Sequence, residues 1–169
     1  MAQSVLMIIA FQGFRDEEYL EPKAILEQAG FCVATASTQL GQATGKLGAA
    51  AKVDLIIDDV NVSDYTAITF IGGPGSYKFI DDPKAQQITQ EAVKQGKIVG
   101  GICAAAAILA EAGILKGINA TSFPDVAEIL KKNGANYTAS GLEVAGKIIT
   151  ADGPAHATAF GQALVQALK

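Results

Sequence analysis

The sequence predicts an α/β layered fold on a mostly parallel central sheet, and three observations carry that expectation. Val5-Leu6-Met7-Ile8-Ile9-Ala10 and Ala67-Ile68-Thr69-Phe70-Ile71 are nearly continuous apolar runs, the pattern of strands covered on both faces. Segments with helical spacing, ended by glycines, lie between such runs. Half of the chain (50%) is hydrophobic, yet tryptophan is absent and Ala, Ile, Val and Gly dominate, which suits close packing of helices on a sheet. At 169 residues, one domain spanning positions 1–169 is expected.

The elements follow in order. After the first strand, Val5 to Ala10, a helix is expected from about Glu18 to Gly30. Ile25, Leu26 and Ala29 form its apolar stripe, Pro22 falls near its first turn, and Gly30 suits its C-terminal cap. Phe31 to Ala36 returns as a strand, with Cys32 in the core. The glycine-rich stretch from Leu40 to Val53 reads as a hairpin or irregular excursion, which Asp54 to Asp58 continues. Ala67 to Ile71 is the third core strand and ends at Gly72-Gly73-Pro74-Gly75.

Asp82 caps the next helix, with Pro83 at its first position and its end near Gln95. Lys97 to Ile102 is a strand and Ala104 to Ala112 a helix. A short strand near Asn119 to Ser122 leads through Pro124 into a helix ending at Lys132. Leu142 to Thr150 forms a hairpin or bulged strand pair turning at Ala145-Gly146, and a helix from about Ala155 to Leu168 follows. This alternation implies right-handed crossovers in one parallel sheet, with chemistry at the carboxyl ends of the strands.

Composition narrows the function classes. A net charge of −4 without a Lys/Arg cluster argues against nucleic acid or an anionic membrane surface as partner. The longest apolar stretch, Ile98 to Ala110, falls short of the ~18 residues that suggest a membrane span. Two cysteines make no disulfide framework, and without a signal peptide the expected location is the reducing cytoplasm, with both thiols free.

Cys103 is the focus. In Gly100-Gly101-Ile102-Cys103-Ala104-Ala105-Ala106 a strand passes directly into a helix, and Gly101-x-Cys103-x-Ala105 is the cysteine counterpart of a nucleophile elbow. Unpaired N–H groups and the helix macrodipole at that junction favour a thiolate. Two other segments leave strand carboxyl ends. One ends in Asp16-Glu17-Glu18, where Glu18 is the candidate proton carrier and Asp16 and Glu17 read as solvated acids at a helix start. The other is Gly72 to Ser76, whose amides, together with that of Ala104, would form an oxyanion pocket. No Gly-Lys-Ser/Thr makes it a phosphate loop. His156 is the single histidine, and no cluster has metal-ligand spacing, so neither metal nor cofactor is expected.

With these segments in place the chain resembles the DJ-1/PfpI superfamily. The likeness rests on an ordered set: the acidic stretch to Glu18 and Pro22, Gly72-Gly73, Gly101-Ile102-Cys103, Thr121-Ser122-Phe123-Pro124, and Gly153-Pro154. The resemblance implies a flavodoxin-like three-layer sandwich, usually a homodimer, with Cys103 reactive, Glu18 protonated, and Gly73 and Ala104 as backbone donors. It also exposes departures. Protease-type members carry histidine after the cysteine, where this chain has Ala104, and a glutamate near the position of Tyr77. The DJ-1 branch places histidine before the proline matched by Pro124, where this chain has Phe123. His156, Phe123 and Tyr77 are therefore accessory candidates.

The expected function is cofactor-independent attack of Cys103 on small reactive carbonyls such as methylglyoxal, of glyoxalase or deglycase type. The alternative is a non-enzymatic redox sensor or chaperone-like dimer in which an oxidant modifies Cys103. A cysteine peptidase or amidase would require His156 within reach of the sulfur.

Overall fold

A computed structural model describes residues 3–169. Strand β1 (Ser4–Ile8) leads through the short β2 (Gln12–Phe14) into helix α1 (Asp16–Gln28), and β3 (Cys32–Ser37) returns beside β1. The excursion is a hairpin of β4 (Gly41–Gly45) and β5 (Ala50–Val53). Its continuation differs from expectation: β6 (Leu55–Ile56) leaves the hairpin and pairs in parallel with β3 at the edge of the main sheet. Next come β7 (Ala67–Phe70), α2 (Pro83–Lys94), β8 (Ile98–Ile102), a 3₁₀ turn over Cys103–Ala105, and α3 (Ala106–Glu111). The chain continues with β9 (Asn119–Ala120), α4 (Ala127–Lys132), β10 (Asn136–Tyr137), the hairpin β11 (Leu142–Ala145) and β12 (Ile148–Ala151), and α5 (Ala157–Leu168).

The main sheet runs β11-β12-β8-β7-β1-β3-β6, and only the β11–β12 pair is antiparallel. Two small satellites, β2-β4-β5 and β9-β10, accompany it, so the expectation of one sheet is too simple. Consecutive glycines of β8 reveal the layers. A Cβ at Gly100 would strike Phe160 of α5 at 2.8 Å, and one at Gly101 would meet Leu109 of α3 at 3.0 Å. Neighbouring strand residues face opposite ways, so α5 and α3 cover opposite faces of the sheet. Glycine is what lets both helices approach this closely.

Two helix starts depart from the sequence reading. Helix α1 begins at Asp16, which places Pro22 in its interior, where it has no N–H to offer the carbonyl of Glu18 four residues earlier. The segment after Cys103 opens as a 3₁₀ turn before becoming a short α-helix. Cys32 is also not core. It is exposed at the start of β3, a strand that becomes buried only from Thr35 on.

The carboxyl ends of β1, β7 and β8 lie side by side, with Ile8 opposite Phe70 and Phe70 opposite Gly101. From β1 the order proceeds to β3 on one side and to β7 on the other. This reversal opens a crevice at the strand ends, where α/β sheets place their ligands. The three segments singled out from the sequence all emerge there.

Candidate active site

Cys103 adopts a left-handed backbone with φ 63°, one of two described non-glycine residues with positive φ. For an L-residue this conformation costs roughly 1–2 kcal/mol. It is the sharp turn of an elbow, and its side chain keeps only 7% of its surface exposed. The Phe123 amide anchors the turn by donating to the Cys103 carbonyl at 3.1 Å.

Glu18, in the first turn of α1, is fully buried, and neither carboxyl oxygen has a hydrogen-bond partner of good geometry. The carboxyl comes to Cys103 across Gly72. A Cβ at Gly72 would lie 2.6 Å from both Glu18 Oε1 and Cys103 Cβ, so any larger residue would push the pair apart. Gly73 has φ 110°, and a Cβ there would be 2.4 Å from the Arg15 amide nitrogen. The Arg15 amide donates to the Gly72 carbonyl at 2.9 Å, locking the β1 and β7 exits together.

Burial pushes the Glu18 carboxyl up to about 7, against the pull of the Cys103 thiol and the Gly72 amide. Burial also raises the Cys103 thiol, to about 12, with the Glu18 charge as the next cause, while the Ala104 and Gly73 amides pull it down. The elbow thus favours a thiolate less than its donors alone suggest: desolvation outweighs the two backbone amides and pushes both the thiol and the carboxyl toward their protonated forms. Such a pair can exchange a proton, the thiol as donor and the carboxylate as acceptor.

A pocket of about 380 Å³ opens above the sulfur, lined by Arg15, Lys46, Gly73, Pro74, Tyr77, Cys103, Ala104, Phe123, Asp125 and Pro154. That size suits a small organic ligand. Cys103, Gly73, Ala104, Tyr77 and Phe123 thus meet at one place, and Glu18 lies beneath. His156 does not line the pocket. Its Nδ1 lies 2.6 Å from Asp152 Oδ1, and its ring rests on Gly141, where a Cβ would be 2.4 Å from it.

Sequence reasoning missed Arg15, Lys46, Asp125 and Pro154. It also misread Asp16, which is 6% exposed and not solvated. Its carboxylate accepts from the Leu47 amide at 2.8 Å and the Ala49 amide at 2.7 Å, holding the tip of the β4–β5 hairpin that carries Lys46. The available signal was Gly45-Lys46-Leu47-Gly48, a lone cation framed by glycines. No group of three or more potential metal-ligating side chains occurs among the described residues.

The DJ-1/PfpI family model matches residues 3–167. The chain belongs to the DJ-1/PfpI family. Among family relatives, an uncharacterized protein of Methanocaldococcus jannaschii is 42% identical over 98% of this chain and 82% of its own. A deglycase of Pyrococcus horikoshii is 30% identical over 97% of this chain and 99% of its own. The crystal structure of a ThiJ/PfpI domain protein from Brachyspira murdochii superposes with a TM-score of 0.97 at 35% identity, covering 99% of this chain and 96% of that one. The DJ-1/PfpI α/β architecture is therefore the architecture of this chain. Among the described residues no helix is long and apolar enough to cross a membrane.

Proposed function

We propose that the protein converts small α-oxoaldehydes such as methylglyoxal to 2-hydroxy acids through Cys103, without a cofactor. The carrying observation is an elbow thiol at φ 63° whose neighbour across Gly72 is a buried carboxyl with unpartnered oxygens. The deglycase relative at 30% identity and a glutathione-independent glyoxalase relative at 25% support a role of deglycase or glyoxalase type.

In this reaction the Cys103 sulfur bonds to the aldehyde carbon while its proton passes to Glu18. The carbonyl oxygen gains negative charge and is held by the Gly73 and Ala104 amides. Glu18 returns that proton to the oxyanion and, again a carboxylate, moves the carbon-bound hydrogen of the hemithioacetal, as a proton, to the neighbouring carbonyl carbon by way of an enediol, giving a 2-hydroxy thioester. Water cleaves the thioester to the acid and restores the thiol. Methylglyoxal plus water yields lactate, so no external oxidant or reductant is needed. Because the carboxylate form of Glu18 is the base, kcat/KM should rise with pH through about 7.

Lactate formation from methylglyoxal by the wild type and by Cys103→Ser tests the reading. Turnover lost in the variant is the expected result, and equal background rates in both would overturn it. Cys103 keeps only 7% of its surface exposed, which speaks against a redox sensor, since such sensors rely on exposed cysteines. A peptidase finds no histidine among the residues lining the pocket.

A further inference from the structure

The pocket is larger than methylglyoxal needs. At about 30 Å³ per water-sized group, five heavy atoms occupy roughly 150 Å³, well under half of the 380 Å³ available. The residues lining the pocket include the cations Arg15 and Lys46 and, besides these, Tyr77 and Asp125.

The charges on that rim are unequally committed. Glu17 accepts from Arg15 Nε at 2.9 Å and Nη2 at 3.0 Å, leaving Nη1 without an acceptor among the described residues. Lys46 has no ion-pair partner among the described residues. Its placement is built rather than incidental, because the buried Asp16 carboxylate fixes the turn on both sides of it through the Leu47 and Ala49 amides. In a chain of net charge −4, a lysine that lines the pocket of the thiol from a fixed turn, with no ion pair among the described residues, is a specificity feature.

We propose that the preferred substrate is an α-oxoaldehyde bearing a carboxylate a few bonds from the reacting carbonyl, bound by Lys46 with the free edge of Arg15. This rests on the reaction proposed above and names its substrate class. Glu17 already offsets Arg15 and Asp125 also lines the pocket, so the lining leaves the charge of Lys46 to meet this distal group. A monoanionic carboxylate fits that account better than a doubly charged phosphate. 4,5-Dioxopentanoate is the simplest probe. Its aldehyde adds to Cys103, its C4 carbonyl receives the proton, and hydrolysis with one water gives 2-hydroxyglutarate, with atoms and electrons balanced as for lactate.

Two measurements decide the matter. In steady-state assays of the wild type, kcat/KM for 4,5-dioxopentanoate should exceed that for methylglyoxal by about tenfold, and the advantage should shrink with added salt. Lys46→Gln should erase most of that ratio through the KM of the charged substrate, and Lys46→Arg should restore it. A wild-type ratio near one, or a ratio indifferent to Lys46→Gln, would overturn the proposal. The second measurement is independent of turnover. NMR titration of the Cys103→Ser protein should show 2-hydroxyglutarate binding about tenfold more tightly than lactate, with the difference lost on adding Lys46→Gln. Selective binding without turnover of either aldehyde would sink the reaction and leave the carboxylate site standing. Equal binding of the two acids would sink the site.

Discussion

Glu18 and Cys103 face each other across the bare α-carbon of Gly72, where a Cβ would sit 2.6 Å from both the carboxyl oxygen and the cysteine Cβ. Gly72→Ala should therefore cost activity out of proportion to its size. The added methyl would displace the reactive pair and press on the Ile102 carbonyl oxygen, 2.8 Å away, and a misplacement of about 1 Å at a reacting centre lowers rates roughly 100-fold. Methylglyoxal turnover by Gly72→Ala, set beside its thermal midpoint, checks this: a variant that folds and keeps full activity would contradict the geometry.

The same carboxyl makes stability depend on pH. Burial holds Glu18 at about 7, against an unperturbed value of 4.5, so the folded state keeps its proton where the unfolded chain has lost it. The contribution of protonated Glu18 is complete below about 4.5 and is lost as pH rises through about 7, up to about 3 kcal/mol. Glu18→Gln carries no such charge. Its stability relative to wild type should increase from pH 4 to pH 8, while its turnover falls for want of the base. Urea midpoints for the two proteins across that range supply the test, and a gap that does not change with pH would show that Glu18 is not the group responsible.

Backbone strain at Cys103 predicts an inversion of the usual order of substitutions. Glycine normally destabilises relative to alanine, but at φ 63° it accepts a conformation that alanine resists. Cys103→Gly should be more stable than Cys103→Ala by about 1 kcal/mol. Chemical denaturation of both variants measures the difference, and alanine proving the more stable would mean that the elbow is not strained.

Much of this was legible from local pattern. The apolar runs of β1 and β7, the Asp82-Pro83 helix start and the Ala145-Gly146 turn are set by neighbouring residues, and the structure has them where the pattern placed them. Cys103, Gly73 and Ala104 could be gathered because parallel topology sends strand ends to one edge. Other features depend on partners distant in sequence. Asp16 looks like any acid at a helix start until the Leu47 and Ala49 amides, some thirty residues on, are seen to surround it. Cys32 looked like core because its neighbours are apolar, but burial along β3 sets in only from Thr35, which composition does not encode. The state of the Cys103 sulfur was misjudged for a related reason. The elbow signals favourable dipoles, whereas desolvation comes from the whole enclosing shell.

His156 offers a clean negative test. As the one histidine it was the natural stand-in for the missing catalytic base, yet it pairs with Asp152 and packs over Gly141, away from the residues that line the pocket. A general base typically contributes about 10²–10⁴-fold, so His156→Ala should keep kcat within about threefold if Glu18 alone carries the protons. A large loss would revive a histidine-assisted mechanism.

Asp16 is where hairpin, rim and thiol meet. Its two carboxylate oxygens satisfy the Leu47 and Ala49 amides, and its carboxylate lies against Gly45, where a Cβ would be only 2.6 Å from Oδ2. Asp16→Ala leaves both amides without their acceptor and should destabilise by about 3 kcal/mol, whereas Asp16→Asn keeps one acceptor oxygen and should recover about half of that. Freed from the clamp, the turn no longer fixes Lys46 over the pocket, so KM for a carboxylate-bearing aldehyde should rise more than KM for methylglyoxal. A purely structural role would lower the active fraction for both substrates alike and leave their KM values in the same ratio, which steady-state kinetics on Asp16→Asn distinguishes.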